Sequence, residues 1–300
     1  MVLSCSQDGV RSDGEGMRIG CDYTVSSWSQ GESVLSVMTG ARPRRPPFLR
    51  ESFSLLKPRW RAYIQFKGEE HMMKLSLKDQ LAVVTGAGSG IGYETGFGFA
   101  ELGARLALVD IDRQRVESAA DKCREVGCSC KAYVADVADF RALQDAFEQV
   151  WADFGEIEIL VNSAGTWKYT SILEAPDEEL DREMNVNLKG CVNTAKLVLP
   201  TMRQKRSGKI IFVASVAGKI GTSVGGTYYA CSKGAVIALT HSLAREFGRF
   251  NINVNAVAPG LIDTQMSRSG SGTPQDFEKH VQLYSQTSVS FLLIAAWTLE

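Results

Sequence analysis

The sequence predicts an α/β protein in which a parallel β-sheet is covered by helices on both faces. Between residues 74 and 264, six short runs rich in Val, Ile, Leu and Ala alternate with longer stretches of helical periodicity. Continuous apolar strands of this kind are typical of a parallel sheet that is buried on both faces. A region of about 190 residues is also large enough to bury a proper core.

Each of the six apolar runs predicts one strand, and each intervening stretch predicts a helix that crosses from one strand to the next. Right-handed crossovers then give a doubly wound sheet of the Rossmann type. The predicted strands are 81–84, 106–109, 132–135, 159–161, 210–214 and 252–257.

Composition excludes several classes of protein. The chain has 300 residues, of which 44% are hydrophobic and 22% charged, and its net charge of -1 gives no electrostatic reason to expect nucleic acid or an anionic membrane as partner. The longest apolar run, residues 291–297, is too short to cross a bilayer. Seven cysteines, an odd number, favour free thiols in a reducing compartment. We therefore expect a cytoplasmic protein that binds small molecules.

Residues 1–71 differ from the rest, because Gly, Ser, Arg and Pro cluster there without helical or strand periodicity. We expect this extension to be disordered. Its basic segment, residues 41–61, could contact acidic surfaces or form a solvated tail. Met72 and Met73 directly precede the first ordered pattern, so a further hypothesis is that the natural protein starts there.

The first predicted strand leads into a glycine-rich turn, residues 85–92 (TGAGSGIG), and a helical pattern follows at once. Glycines let a pyrophosphate approach the main chain, and the amides at the start of the next helix attract its charge. The second strand ends at Asp110, eighteen residues after Gly92. A carboxylate there can accept hydrogen bonds from the adenosine ribose hydroxyls and would repel a 2′-phosphate. The sequence thus predicts NAD rather than NADP, provided that Asp110 and not Asp112 points into the site.

A second cluster predicts the chemistry. Tyr229 and Lys233 are four residues apart at the start of a long amphipathic stretch that reaches about residue 247, so they lie on one helical face. A nearby ammonium favours the phenolate, which makes Tyr229 a usable acid and base near neutral pH. Ser215 closes the fifth strand, at the sheet edge where such folds bind their ligands.

These residues resemble the short-chain dehydrogenase/reductase family in its shorter form, including its 3-oxoacyl-acyl-carrier-protein reductase-like members. Seven segments occur in the family's order. Besides the glycine-rich turn and Tyr229-Ala230-Cys231-Ser232-Lys233, they are Asp136-Val137, Asn162-Ser163-Ala164-Gly165, Asn187 within residues 185–190, Ala214-Ser215-Val216-Ala217-Gly218 and residues 259–264 (PGLIDT).

The resemblance implies a role for each matching residue. Tyr229 corresponds to the catalytic acid/base, Lys233 to the residue that lowers its pKa and holds the nicotinamide ribose, Ser215 to the donor that steadies the substrate oxygen, and Asn187 to the holder of a water that links Lys233 to solvent. The other residues correspond to cofactor contacts. The implied cofactor-binding set is Gly86, Ser89, Gly90, Ile91, Gly92, Asp110, Asp136, Val137, Asn162, Ala164, Gly165, Tyr229, Lys233, Pro259, Gly260, Ile262 and Thr264.

The chain departs from the family pattern after Thr264. We place the Rossmann domain at residues 72–266, followed by a polar, flexible stretch at 267–274, a remnant of the substrate lid near 275–284, and an atypical tail. The usual seventh strand is missing or replaced. Residues 291–297 could either add to the exposed sheet edge or form an apolar tail. The resemblance implies a homodimer through the long helices, with a tetramer disfavoured because the last strand is missing.

The predicted function is an NAD(H)-dependent oxidoreductase that interconverts a secondary alcohol and a ketone, with no metal. The alternative is a nucleotide-binding protein with little turnover, since the altered C-terminal end could leave the substrate lid unsupported. The sequence does not identify the substrate. Trp167, just after the fourth strand, could stack on substrate or simply pack within its loop.

Overall fold

The computed structural model describes residues 62–66, 69–73, 76–222, 225–270 and 291–295, together with Thr273, Gln275 and Glu278. The chain forms two units, and the boundary between them lies between Leu75 and Ser76. The boundary predicted from the sequence lies four residues earlier, after residue 71.

The first unit contains an antiparallel hairpin of β1 (Ala62–Phe66) and β2 (Glu69–Met73), in which Phe66 pairs with Glu69. The prediction of no regular structure through residue 71 differs from this finding. Aromatic and β-branched residues precede Gly68, a pattern that favours a hairpin and that composition alone overlooks. The rest of the predicted extension, residues 1–61, lies outside the described residues.

The second unit contains a sheet of seven strands in the order β5-β4-β3-β6-β7-β8-β9. The first six in this order are parallel, as predicted, and the order reverses between β3 and β6 in the doubly wound manner. The strands are β3 (Leu81–Thr85), β4 (Arg105–Asp110), β5 (Cys130–Val134), β6 (Ile159–Asn162), β7 (Gly208–Val213), β8 (Ile252–Pro259) and β9 (Phe291–Ala295).

Helices connect the strands. Among the described residues, no helix is long and apolar enough to span a membrane. The helices are α1 (Gly90–Glu101), α2 (Arg113–Glu125), α3 (Phe140–Phe154), α4 (Asp177–Glu183), a π-helical turn (Met184–Lys189), α5 (Gly190–Lys205), α6 (Ala217–Ile220), α7 (Thr227–Phe247), a 3-10 turn (Gly248–Phe250) and α8 (Gln265–Gly270).

The core lies on both faces of the sheet, as the unbroken apolar strands predict. All of β3 is buried. Leu81 and Val83 belong to the cluster on one face, while Ala82 and Val84 belong to the cluster on the other. Such two-sided burial holds the carboxyl ends of the strands rigidly in one line.

The sequence left open whether residues 291–297 add a strand to the edge of the sheet or form an apolar tail. β9 runs antiparallel along β8, with Phe291 opposite Pro259 and Ala295 opposite Asn255, so an added strand covers that edge. The prediction of a flexible stretch at 267–274 is wrong for its first four residues, because α8 extends to Gly270 and Ser267 is buried within it. Its hydroxyl accepts a hydrogen bond from the amide of Thr264 and donates to the carbonyl of Ile262. The lid region, residues 275–284, lies almost wholly outside the described residues.

Candidate active site

A cavity of about 660 Å³ opens at the carboxyl ends of the parallel strands. This is where an open α/β sheet places its ligands. Its walls come from the turns after β3, β4, β5, β6, β7 and β8. The predicted residues that line it are Gly86, Ser89, Gly90, Ile91, Asp110, Asp136, Val137, Ala164, Gly165, Ser215, Tyr229, Lys233, Pro259, Gly260, Ile262 and Thr264.

The glycine-rich turn is shaped by two close backbone approaches. Gly86 has φ of +65°, and a Cβ there would lie 2.6 Å from the backbone of Ala164. A Cβ on Gly92 would lie 2.1 Å from the carbonyl oxygen of Gly86. Real Cβ atoms essentially never approach other atoms so closely, so both positions require glycine. The absence of a side chain at Gly92 therefore lets the Gly86 carbonyl pack against the start of α1.

Asp110, at the end of β4, faces the glycine-rich turn. Its carboxylate accepts hydrogen bonds from the amides of Gly88, at 2.8 Å, and Asp112, at 3.0 Å. Asp112 instead caps α2 by accepting a hydrogen bond from the amide of Arg115. Asp110 therefore lies in the cavity wall and Asp112 does not, as the predicted ribose contact requires.

Tyr229 and Lys233 lie one turn apart near the start of α7, and both line the cavity. The Lys233 Nζ is 5.7 Å from the centroid of the Tyr229 ring and donates a 2.7 Å hydrogen bond to the carbonyl of Val213, the last residue of β7. Burial lowers the pKa of Lys233, while Cys191 and Glu183 act in the opposite direction. The ammonium is therefore held at a fixed place beside the phenol.

Ser215 lies two residues after β7 and is buried. Its Oγ accepts a 3.2 Å hydrogen bond from the amide of Ala217, at the start of α6. α6 packs closely on α7 where Gly218 meets the backbone of Lys233. The hydroxyl of Ser215 is thus oriented in the same cavity as Tyr229.

Three predicted site residues are not among the described residues that line the cavity: Gly92, Asn162 and Asn187. Asn162 accepts a 2.7 Å hydrogen bond from the hydroxyl of Thr194 and so joins β6 to α5. Asn187 is fully buried in the π-helical turn. Its side chain accepts from the amide of Thr166 at 2.7 Å and donates to the carbonyl of Thr166 and to the hydroxyl of Ser232, both at 2.9 Å. The water-holding role implied for Asn187 stays a prediction.

The loop after β6 places two aromatic side chains on the cavity. The Trp167 ring centroid is 5.8 Å from that of Tyr229 and 6.0 Å from that of Tyr169, and both Trp167 and Tyr169 line the cavity. Trp167 therefore packs against the candidate acid/base itself. Trp167 is a residue that the sequence indicates, whereas Tyr169 was missed, although the spacing of aromatic residues in this loop could have indicated it.

Sequence reasoning also missed Glu183, the last residue of α4, which is only 1% exposed. Its Oε1 accepts a 2.9 Å hydrogen bond from the amide of Lys168. The pKa of Glu183 is raised to about 7, mainly by burial and further by the negative charge of Glu179. The hydrogen bond from Lys168 and the positive charges of Arg182 and Lys233 act in the opposite direction. Its position four residues before Asn187, one helical turn away, was the available signal.

Comparison with known proteins identifies the family of this chain. The family model described as short chain dehydrogenase matches residues 80–274. The chain belongs to the short-chain dehydrogenase family. It is therefore an oxidoreductase of a family that binds NAD(P).

Several named members of the short-chain dehydrogenase family are similar to this chain. Oxidoreductase UcpA of Salmonella typhimurium is 39% identical over 193 residues, which cover 64% of this chain and 73% of that protein. The 3-oxoacyl-[acyl-carrier-protein] reductase FabG of Thermotoga maritima is 37% identical, with 64% and 78% covered. The crystal structure of NAD+-bound xylitol dehydrogenase has a TM-score of 0.61 at 33% identity, with 70% and 77% covered.

Proposed function

We propose that this short-chain dehydrogenase interconverts a secondary alcohol and a ketone with NAD(H), and that Tyr229 is its acid/base. The observation that carries the proposal is the Lys233 ammonium 5.7 Å from the Tyr229 ring, in a cavity that Ser215 also lines. A positive charge beside a phenol favours the phenolate and brings its pKa toward neutral pH. The arrangement therefore suits proton exchange with an alcohol oxygen.

The residues around the cavity fit a nicotinamide dinucleotide. The cavity volume is in the range of small-molecule sites. Gly86 and Gly90, with φ of +65° and +53°, line the cavity beside the start of α1, where backbone amides attract a pyrophosphate. The carboxylate of Asp110 suits two ribose hydroxyls. When bound, the dinucleotide supplies the acceptor or donor of a hydride. Asp110 favours NAD, because a 2′-phosphate beside this carboxylate would be repelled.

In the oxidative direction the chain's own residues have to remove one proton and orient one oxygen. Tyr229 as phenolate takes the hydroxyl proton of the alcohol, so its own O–H bond forms as the alcohol O–H bond breaks. Ser215 donates a hydrogen bond to the same oxygen, and Lys233 stabilises the phenolate before the transfer. In the reductive direction Tyr229 returns the proton. Such positioning and charge stabilisation are what this chemistry needs from a protein.

The alternative, nucleotide binding with little turnover, depends on a missing final strand that would leave the substrate lid unsupported. The pairing of β9 with β8 supports the enzyme over this alternative, because it supplies an edge strand where the family pattern seemed to end. The proposal also includes a homodimer through the long helices, which light scattering of the purified chain would test.

A panel of secondary alcohols and ketones tests the proposal when nicotinamide absorbance is followed with NAD(H) and, separately, with NADP(H). We expect turnover with at least one pair and a higher kcat/KM with NAD(H). Calorimetric NAD binding without turnover of any member would favour the binding-protein alternative. Tighter binding of NADP than of NAD would contradict the role of Asp110.

A further inference from the structure

Three side chains on one helical face form a ladder of hydrogen bonds to the loop that follows β6. Going down this face, Glu179 accepts from the hydroxyl of Thr170 at 3.0 Å, and Glu183 accepts from the amide of Lys168 at 2.9 Å. The third rung is the Asn187 pair with Thr166 described above. Steps of four residues on the helix thus match steps of two along the loop, which is the geometry expected when a helix face lies against an extended chain. We call this set the helix–loop ladder.

The ladder determines where the aromatic wall of the cavity sits. Trp167 and Tyr169 alternate with the three rung residues of the loop, and both line the cavity. Because the rungs fix the loop on either side of Trp167, they also fix the indole against Tyr229. The middle rung, at Lys168, is next to Trp167 in the chain.

Glu183 in the middle rung has a second property. Its Oε2 is fully buried and has no hydrogen-bond partner among the described residues. A buried carboxyl oxygen without a partner is costly, and more so when charged. Charges act on this carboxyl from two helices, since Glu179 and Arg182 lie on its own helix and Lys233 lies on α7. The amide of Lys168 supplies its hydrogen bond, while the Lys168 side chain is exposed.

We propose that Glu183 is a positioning residue that holds the Trp167 loop through Oε1 and, when ionised, stabilises the ammonium of the buried Lys233. This inference rests on the proposed function. The Lys233 Nζ lies beside the Asn187 rung, one helical turn from Glu183, since a Cβ on Gly165 would be 3.5 Å from this Nζ and 3.2 Å from the Asn187 Oδ1. Because burial disfavours a charged lysine, the carboxylate opposes loss of the Lys233 proton as the pH rises. The carboxyl of Glu183 has a pKa of about 7, so this support exists above neutral pH and is absent below it.

The test is the pH dependence of kcat/KM for the wild type and Glu183→Gln. Gln keeps an acceptor for the Lys168 amide but never carries charge. Below about pH 6, where the wild-type carboxyl is protonated, the two enzymes should agree within about twofold. At alkaline pH the variant should lose activity at a lower pH than the wild type does. The apparent pKa of the alkaline limb of its kcat/KM profile should be lower by about half a pH unit or more. Coinciding alkaline limbs would overturn the proposal, as would a pH-independent difference, which a merely structural role would give.

Glu179→Gln is the matched control. It changes a buried rung carboxylate in the same way, but Glu179 is not among the charges that act on Lys233. The alkaline limb of its pH profile should therefore coincide with that of the wild type. An equal shift in both variants would contradict a specific role for Glu183.

A measurement without turnover separates failure of this inference from failure of the proposed function. The urea midpoint of the wild type should fall as the pH rises through about 7, and this fall should be absent in Glu183→Gln. Replacing Lys233 by Met should move the fall to higher pH, because the neighbouring positive charge is lost. If the fall does not move, Glu183 is not coupled to Lys233, whether or not any substrate turns over.

Discussion

The two walls of the cavity are built in different ways. The wall around the glycine-rich turn is made by backbone, since Gly86 packs directly against Ala164 and Gly92 directly against Gly86. The wall that contains Trp167 and Tyr169 is held by side chains of the helix–loop ladder. A backbone-built wall admits little change at its close contacts, whereas a side-chain-built wall can vary between proteins while the loop stays in place. This difference suits a fixed cofactor on one side and a variable substrate on the other.

The strongest way to break the backbone-built wall is Gly92→Ala. Its Cβ would meet the Gly86 carbonyl at 2.1 Å, so the turn has to shift, and we expect dinucleotide binding to be lost and unfolding free energy to fall by about 3 kcal/mol. Calorimetry with NAD and urea unfolding measure these effects.

Gly96→Ala in the same helix is the control. Its Cβ would meet the end of the Leu108 side chain at 3.0 Å, and such a side chain can move. We expect NAD binding to persist and stability to change by no more than about 1 kcal/mol, since Ala is the better helix former. Equal losses in the two variants would contradict the distinction between turn and helix.

Glu183→Gln tests the wall that is held by side chains. A buried carboxyl whose pKa is about 7 in the folded state binds its proton more tightly than in the unfolded chain. Its stabilising contribution is therefore complete below the ordinary glutamate pKa and is lost as the pH rises through about 7. The unfolding free energy of the wild type minus that of Glu183→Gln should therefore be about 3 kcal/mol lower at about pH 8 than at about pH 4. A difference between the two proteins that does not change with pH would count against a buried titrating carboxyl.

Asp110→Asn tests how the backbone-built wall selects the dinucleotide. We expect the affinity for NAD to fall by about tenfold or more, because hydrogen bonds to a charged acceptor are replaced by bonds to a neutral one, while affinity for NADP falls less or rises. Fluorescence titration with NADH and NADPH gives both constants. Asp112→Asn, which changes the cap of α2 outside the cavity, should keep the wild-type ratio of NADH affinity to NADPH affinity. If both variants change this ratio equally, Asp110 does not select the dinucleotide.

The smallest effect is expected at Trp167. Trp167→Phe keeps an aromatic ring beside Tyr229 and should change KM by no more than about threefold, whereas Trp167→Ala removes the packing and should raise KM by about tenfold with NAD affinity unchanged. If Trp167→Ala leaves KM unchanged, the indole packs within its loop without contacting substrate.

The same contrast explains what could be predicted from the sequence. The six parallel strands, α7 and the glycine-rich turn depend on local periodicity and on residues close together in the chain, so all of them were predicted. The resemblance to a known family then supplied the role of Ser215 and the later turns. The β1–β2 hairpin was missed because composition outweighed a short aromatic pattern.

Contacts between distant segments could not be read in this way. Asn187 was selected for a water, yet its amide is bound to Thr166, twenty-one residues earlier. Glu183 is one of several acidic residues in α4, and its burial against the Trp167 loop depends on the contact with Lys168, fifteen residues earlier. The pairing of β9 with β8 likewise depends on two strands separated by more than thirty residues.

In the proposed function, Tyr229 exchanges a proton with the substrate while Lys233 supports its phenolate. The most direct measurement compares kcat and NADH affinity in Tyr229→Phe and Tyr228→Phe, since the two phenols are adjacent and only Tyr229 is among the described residues that line the cavity. We predict that Tyr229→Phe loses at least about a hundredfold in kcat and still binds NADH, while Tyr228→Phe resembles the wild type. Undiminished turnover in Tyr229→Phe would contradict the account.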